Sequence, residues 1–230
     1  MKKLVVTFLM FLTAMTYAQD QKPQIPQVNV SGEGKVKVAP DQCVITLGVE
    51  NTGKDAASVK KTNDETIDKV IKYIKKNNIP ATDFQTTNVS LYKNYDYEKK
   101  KYNFHANQTI TVLLKDIKKY DEFMMGITDT GITNINGIEF KSSKLEEHER
   151  EARKKAMLNA KQKANDFVSA LGQKVGKLLL ITDNSATHFP RPMYKGAMAE
   201  MAMADRGNKE TLAIGEIEIV VNAQVAFAIE

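Results

Sequence analysis

Ile217, Ile219, Val221, Ala223, Val225, Phe227 and Ile229 occupy every second position at the end of the chain, with Glu218, Asn222 and Gln224 among the residues between them. Side chains on a strand point alternately to opposite faces, so this pattern specifies a long strand with one apolar face. A helix would scatter the same residues around its axis. The chain must therefore build a sheet, and something else in the sequence must cover it.

The remaining segments supply partners and cover. Val28, Val30, Val36 and Val38 alternate with polar residues and glycines, and residues 42–50 form a second strand after a turn at Pro40-Asp41. The two are expected to pair as a β-hairpin. Between Asp55 and Asn77 the period changes: Ala56, Val59, Asn63, Ile67, Val70, Ile71 and Ile74 recur at three- and four-residue steps, which predicts an amphipathic helix ended by Asn77-Asn78 and Pro80. Residues 84–95 and 102–114 predict a second, longer hairpin across the charged turn from Asp96 to Lys101. A short helix follows over Ile117–Thr128, closed by Gly131, and then a strand over 132–140.

The longest helix is expected from Ser143 to Leu171, stopped by Gly172. Its inner stripe reads Ala152, Ala156, Ala160, Ala164, Phe167, Val168 and Leu171. Small residues at every fourth position let another backbone approach closely, either the chain's own sheet or another subunit. Lys174–Asp183 is a further strand, and 184–209 reads as irregular, with Pro190 and Pro192. These elements, without regular βαβ spacing, specify an α+β fold. The expected architecture is a mostly antiparallel sheet of hairpins packed with two main amphipathic helices and one short helix.

The first residues carry a different message. Lys2 and Lys3 precede an uncharged run from Leu4 to Met15, and Thr16-Tyr17-Ala18 places a small residue before Gln19. This is the pattern of a secretory signal peptide over residues 1–18, with an apolar core too short to be a stable span. Residues 19–27, with Pro23 and Pro26, read as a flexible lead-in, and 28–230 as the folded domain. No later segment has the run of apolar residues that a transmembrane helix needs. Charge must be read after cleavage. The full chain has 33 Lys+Arg, 28 Asp+Glu and a net charge of +5; the leader holds two lysines and no acid, so the mature chain carries +3. The sequence pI near 9.0 is thus partly a property of the leader, and nucleic acid is not an expected partner.

Few residues suggest chemistry. His105, His148 and His188 show no metal-ligand spacing, and His148 lies in the highly charged run Glu146–Glu151. Ser31-Gly32-Glu33-Gly34 lacks the ending of a phosphate loop and is followed by strand residues, so a closely packed strand is expected there. Lone Cys43 shares its face with Ile45, Leu47 and Val49, and is expected to be buried. Tyr92, Tyr95, Tyr97 and Tyr102 flank the run Lys99-Lys100-Lys101, resembling a base-stacking platform but also suiting contact with an envelope surface or another subunit. Met198, Met201 and Met203 are the metal candidates, because thioethers are soft ligands for Cu(I). The competing reading is an adaptable apolar segment that packs on a neighbour. No catalytic or cofactor-binding residue is assigned.

Several segments taken in order resemble the SIMPL-domain (DUF541) family, which includes bacterial periplasmic 26-kDa immunogenic proteins. They are Val30-Ser31-Gly32-Glu33-Gly34 with Pro40-Asp41, Asn88-Val89-Ser90-Leu91, and Gly131 through Phe140. The helix from Glu151 through Ala164 to Leu171-Gly172 follows, then Ile214-Gly215-Glu216-Ile217 and Val225-Ala226-Phe227. Tyr102-Asn103-Phe104-His105-Ala106 departs from the family's simpler Gly-Tyr-x-Ala stretch. The resemblance implies an α+β domain, export to the periplasm or envelope, and large ring-like homo-oligomers in some members. It further implies protection against oxidative or envelope stress, and supplies no catalytic residues; its animal members are linked to kinase signalling. The expected function is that of an exported, oligomeric, non-enzymatic envelope protein with a stress-protective or scaffolding role and no cofactor. The edges of the terminal strands and the alanine-striped helix are the expected assembly surfaces. The alternative is a periplasmic ligand- or metal-binding module using the Met-rich segment 193–203 and Tyr194.

Overall fold

A computed structural model describes residues 25–98, 100–184, 191–193 and 212–230, with backbone alone at 191–193. The alternating C-terminal segment is β8 (Glu216–Ile229), and it lies inside a sheet. On one side it pairs with β1 (Gln27–Val38) without interruption, from Gln27 opposite Ala228 to Val38 opposite Ile217. On the other it pairs with β6 (Val175–Asp183) and with the short β7 (Arg191–Met193). All three pairings are antiparallel. The two ends of the described chain are thus neighbours in one sheet.

This pairing corrects the expected first hairpin. β2 (Gln42–Gly53) does not fold back on β1 but enters a second sheet, of order β3-β4-β2-β5. It lies there between β4 (Lys101–Leu114) and β5 (Asn134–Lys141), antiparallel to both. Its residues Cys43, Ile45, Leu47 and Val49 are all fully buried, as a central strand requires. Period-2 alternation identifies a strand and its wet face, but both candidate partners offer the same alternation. β3 (Phe84–Asp96) and β4 do form the second hairpin, with Asp96 opposite Lys101. Beyond Phe104, which faces Gly53 at the end of β2, the hairpin continues as a two-stranded ribbon.

The second sheet is covered by α1 (Ala56–Lys76) and α2 (Tyr120–Thr128), the latter led in by a 3-10 turn at Ile117–Lys119. Asp55 caps α1, its carboxylate accepting the Ser58 N–H at 2.8 Å, and Lys75 and Lys76 complement the dipole at the other end. Val59, Ile67, Val70 and Ile74 turn inward, and the last three join Ile45, Leu47, Ile110, Val112, Phe123 and Ile127 in the main core. Asn63 is the polar member of that face, and its amide is satisfied. Nδ2 donates to the Val49 carbonyl at 2.9 Å and to Asn51 Oδ1 at 3.0 Å.

The first sheet is covered by α3 (Leu145–Ser169). Ala152, Ala156, Ala160 and Ala164 are fully buried, and the first three meet the two glycines of β1. A Cβ on Gly34 would lie 1.9 Å from the Ala152 carbonyl oxygen, and one on Gly32 2.0 Å from that of Ala156. The stripe therefore serves the chain's own sheet and offers nothing to another subunit. Val168 continues it, whereas Phe167 and Leu171 are 61% and 78% exposed and do not belong to the inner face. Residue 167 is one position off the four-residue repeat, about 100° round the helix, and Leu171 lies past its end.

A second row on α3 closes the outer edge of β1. Lys155 Nζ donates to the Lys35 carbonyl at 3.3 Å, Asn159 Oδ1 accepts the Glu33 N–H at 3.1 Å, and Lys163 Nζ donates to the Ser31 carbonyl at 2.9 Å. Those are the backbone groups through which an edge strand would recruit a new strand. The terminal strands consequently do not provide the expected assembly edges: β8 is internal and β1 is capped.

Two connections, around Ala39–Asp41 and Ser142–Lys144, join the sheets, and Asp41 ties them together. Its N–H donates to the Lys141 carbonyl at 3.2 Å, its carbonyl accepts the Ile117 N–H at 3.2 Å, and its carboxylate accepts the Ser143 N–H at 2.7 Å and the Ser143 hydroxyl. Desolvation pushes the Asp41 carboxyl up, but the Ser143 hydrogen bonds, assisted by Lys144, outweigh it and leave it below its ordinary value.

Two outcomes are expected. Gly34→Ala should lower stability by about 1–3 kcal/mol, because the new methyl meets backbone that cannot step aside. In calorimetry that is a Tm fall of roughly 3–10 °C, while Lys37→Ala on the exposed side of the same strand should stay within about 0.5 kcal/mol of the parent. Asp41→Asn should cost about 0.5–1.5 kcal/mol in urea denaturation at pH 7, kept small because the side chain is exposed. A depressed folded-state pKa adds stability above the unfolded pKa of about 3.9 and loses it as pH falls through the folded value. The difference from the parent should therefore shrink towards zero at pH 2–3.

Candidate functional site

The close approach of α3 to β1 decides where the surface of the first sheet stays open. The helix rests on β1 and β8 and leaves β6 almost uncovered. Between its far flank and β6 runs a groove of about 640 Å³. Met157 and Leu158 of α3, Leu178 of β6 and Phe227 of β8 form its apolar floor, and Arg150, Arg153, Lys154 and Lys161 form its rim. Leu158 is 68% exposed and Leu178 47%, which is unusual for leucines that a helix and a sheet might have buried together. Leu180 and Ile181 continue the exposed apolar character along β6. Arg150 and Arg153 have exposed partners one turn back, Glu146 at 3.7 Å and Glu149 at 3.6 Å. Such surface pairs contribute little and leave both guanidinium groups available to a ligand.

The second exposed feature is the aromatic ribbon of β3 and β4. Tyr95 packs edge-on against both Tyr97 and Tyr102, with ring centres 5.1 and 4.9 Å away, and Lys93 Nζ lies 4.2 Å from the centre of the Tyr102 ring. Tyr92 stacks on His105 at 5.5 Å, and Thr52 Oγ1 holds His105 Nδ1 at 3.0 Å. The four tyrosines named from the sequence therefore gather near the end of one ribbon. They mostly pack against each other in tilted pairs, which differs from a row of parallel faces ready for bases.

The remaining sequence candidates separate. Met198, Met201, Met203, Tyr194 and His188 lie outside the described residues. His105 and His148 belong to different sheets' elements, β4 and α3. Among the described residues, no three His, Cys, Asp or Glu side chains gather closely enough to hold a metal ion. Ser31–Gly34 is strand throughout, packed against α3 as expected. Cys43 is fully buried, and desolvation pushes its thiol up to about 11, the opposite of what a nucleophile needs. No helix among the described residues is long and apolar enough to cross a membrane.

This order of elements, with its glycine strand and alanine helix, covers nearly the whole described chain, and residues 28–227 match SIMPL, a "Protein of unknown function (DUF541)". The chain belongs to the SIMPL family. A SIMPL relative from Escherichia coli (strain K12), "Uncharacterized protein YggE", is 25% identical over 100% of this chain and 94% of its own. The "26 kDa periplasmic immunogenic protein" of Brucella melitensis is 25% identical over 95% of this chain and 91% of its own. More distantly, the mouse "Interleukin-1 receptor-associated kinase 1-binding protein 1" is 26% identical over 73% of this chain and 63% of its own.

The groove of this SIMPL domain is the feature that periodicity missed. Its signal was present in the run Leu178-Leu179-Leu180-Ile181, opposite a helix whose sheet-facing row is alanine. A row of methyl groups brings the helix down onto two strands and cannot extend over a third. For Cys43 the expected outcome is simple. Ellman's reagent should leave the native protein unlabelled over minutes at pH 8 and titrate one thiol per chain once denaturant is added; rapid native labelling would contradict its burial.

Proposed function

We propose that this chain is an exported, periplasmic or envelope-associated SIMPL protein that acts as a homo-oligomeric scaffold or stress-protective component, without a catalytic step. Export is supported by the leader pattern of residues 1–18 and by the full-length likeness to a protein named as periplasmic. On this reading residues 1–18 are removed, 19–27 form a lead-in and 28–230 form the working domain.

The observation that carries assembly is the outer edge of β3. This 13-residue strand ends its sheet, and on its far side it pairs with no strand among the described residues. Val89 and Leu91, 63% and 44% exposed, give that edge apolar character. A long edge of this kind, not capped by a helix row like the one that closes β1, favours strand pairing with a second copy. The kinase in the mouse relative's name belongs to that protein alone.

Light scattering of the mature protein at micromolar concentration tests the reading. A mass several times that of one chain is expected, and Val89→Lys with Leu91→Lys should shift it towards the monomer without lowering the Tm by more than a few degrees. A strict monomer would overturn the proposal. N-terminal sequencing of exported material should begin at Gln19.

A further inference from the structure

We propose that the groove between α3 and β6 binds a single long-chain fatty carboxylate. Its alkyl chain lies along Met157, Leu158, Leu178 and Phe227, and its headgroup meets the cationic rim.

Two properties of the groove must be matched together. Its floor is apolar and open to water, so the occupant must bring apolar surface. Among the described residues every charged side chain that lines it, Arg150, Arg153, Lys154 and Lys161, is a cation, so the occupant must bring negative charge as well. A neutral apolar ligand would leave the rim unmatched, and a free anion such as phosphate would leave the floor wet. An anionic amphiphile satisfies both, and the planar guanidinium groups of Arg150 and Arg153 suit the two oxygens of a carboxylate. The rim side chains remain exposed, so a headgroup placed there keeps part of its water and no charge is buried unpaired. The groove's size of about 640 Å³ falls among small-molecule sites, which run from roughly 300 to 1,000 Å³. Its walls are preformed, since α3 is fixed to β1 by the alanine–glycine contact and by the Lys155, Asn159 and Lys163 row.

The site is lined by α3, β6 and β8 and shares no residue with β3, so it can be tested separately from assembly through that edge. Leu158 and the four rim cations belong to none of the hydrophobic core clusters, so these positions of floor and rim can be altered with the fold intact.

The test is a fluorescence titration of the full mature protein with cis-parinarate, an intrinsically fluorescent fatty carboxylate. Saturable binding of about one molecule per chain is expected. Competition by saturated fatty carboxylates should tighten on the order of threefold for each added CH₂ until the groove is filled. Parinarate methyl ester, with the same chain and no charge, should bind at least tenfold more weakly. Arg153→Glu with Lys161→Glu should weaken the acid at least tenfold and leave the ester unchanged. Leu158→Asp should weaken both, with the circular-dichroism melt of each variant matching the parent. Equal affinity for acid and ester, or no saturable binding, would overturn the proposal. Binding to phosphatidylglycerol vesicles without binding of monomeric parinarate would assign the surface to a membrane instead. An oligomer that dissociates on Leu158→Asp would assign it to a second copy.

Discussion

Everything in the first sheet follows from the contact between the two glycines of β1 and the alanine row of α3. Gly32 and Gly34 remove the side chains of β1 where α3 crosses it, and Ala152, Ala156, Ala160 and Ala164 remove all but a methyl group from the helix. The backbones then approach until the carbonyl oxygens of Ala152 and Ala156 occupy the space a strand side chain would need. Close packing of this kind gains dispersion contacts along both backbones and tolerates almost no added volume. It also brings the next row of α3 within reach of the β1 edge, so that Lys155, Asn159 and Lys163 can complete its hydrogen bonding. The same low seat has a consequence at the other flank, where α3 leaves β6 almost uncovered.

Three faces of one helix thus have three different roles. One is buried in the sheet, one closes an edge, and one borders a groove with leucine below and arginine or lysine above. The second sheet is built on other terms, with large side chains from α1 and α2 packed on β2 and β4 around a satisfied Asn63. Asp41 connects the two constructions, holding Ser143 at the entry to α3 while its backbone bridges Lys141 and Ile117. The SIMPL match over residues 28–227 runs across both sheets.

The strands and helices were readable because each has a period: two for β8 and β2, near 3.6 for α1, and four for the alanine row. Partners were not readable, and β1 shows why. Its valines fit β2 and β8 equally well in pattern, and the choice for β8 depends on α3, which stands more than a hundred residues away. Hydrophobicity alone places Phe167 and Leu171 on the inner face, although neither lies on the alanine repeat. The environments of Cys43 and Ser31–Gly34 are legible in the sequence because neighbouring residues of the same strand define them. The groove needed knowledge of how far a helix of alanines extends over a sheet, which no local window contains.

Hydrogen exchange of the native protein, followed residue by residue at several protein concentrations, tests the central contact most directly. If α3 is seated on the chain's own sheet, the amides of Ala152–Val168 should open together with those of β1 and β8, with one opening free energy that does not change with concentration. Protection of α3 that rises with protein concentration, while β1 and β8 stay constant, would contradict it, because the alanine row would then be a contact between subunits.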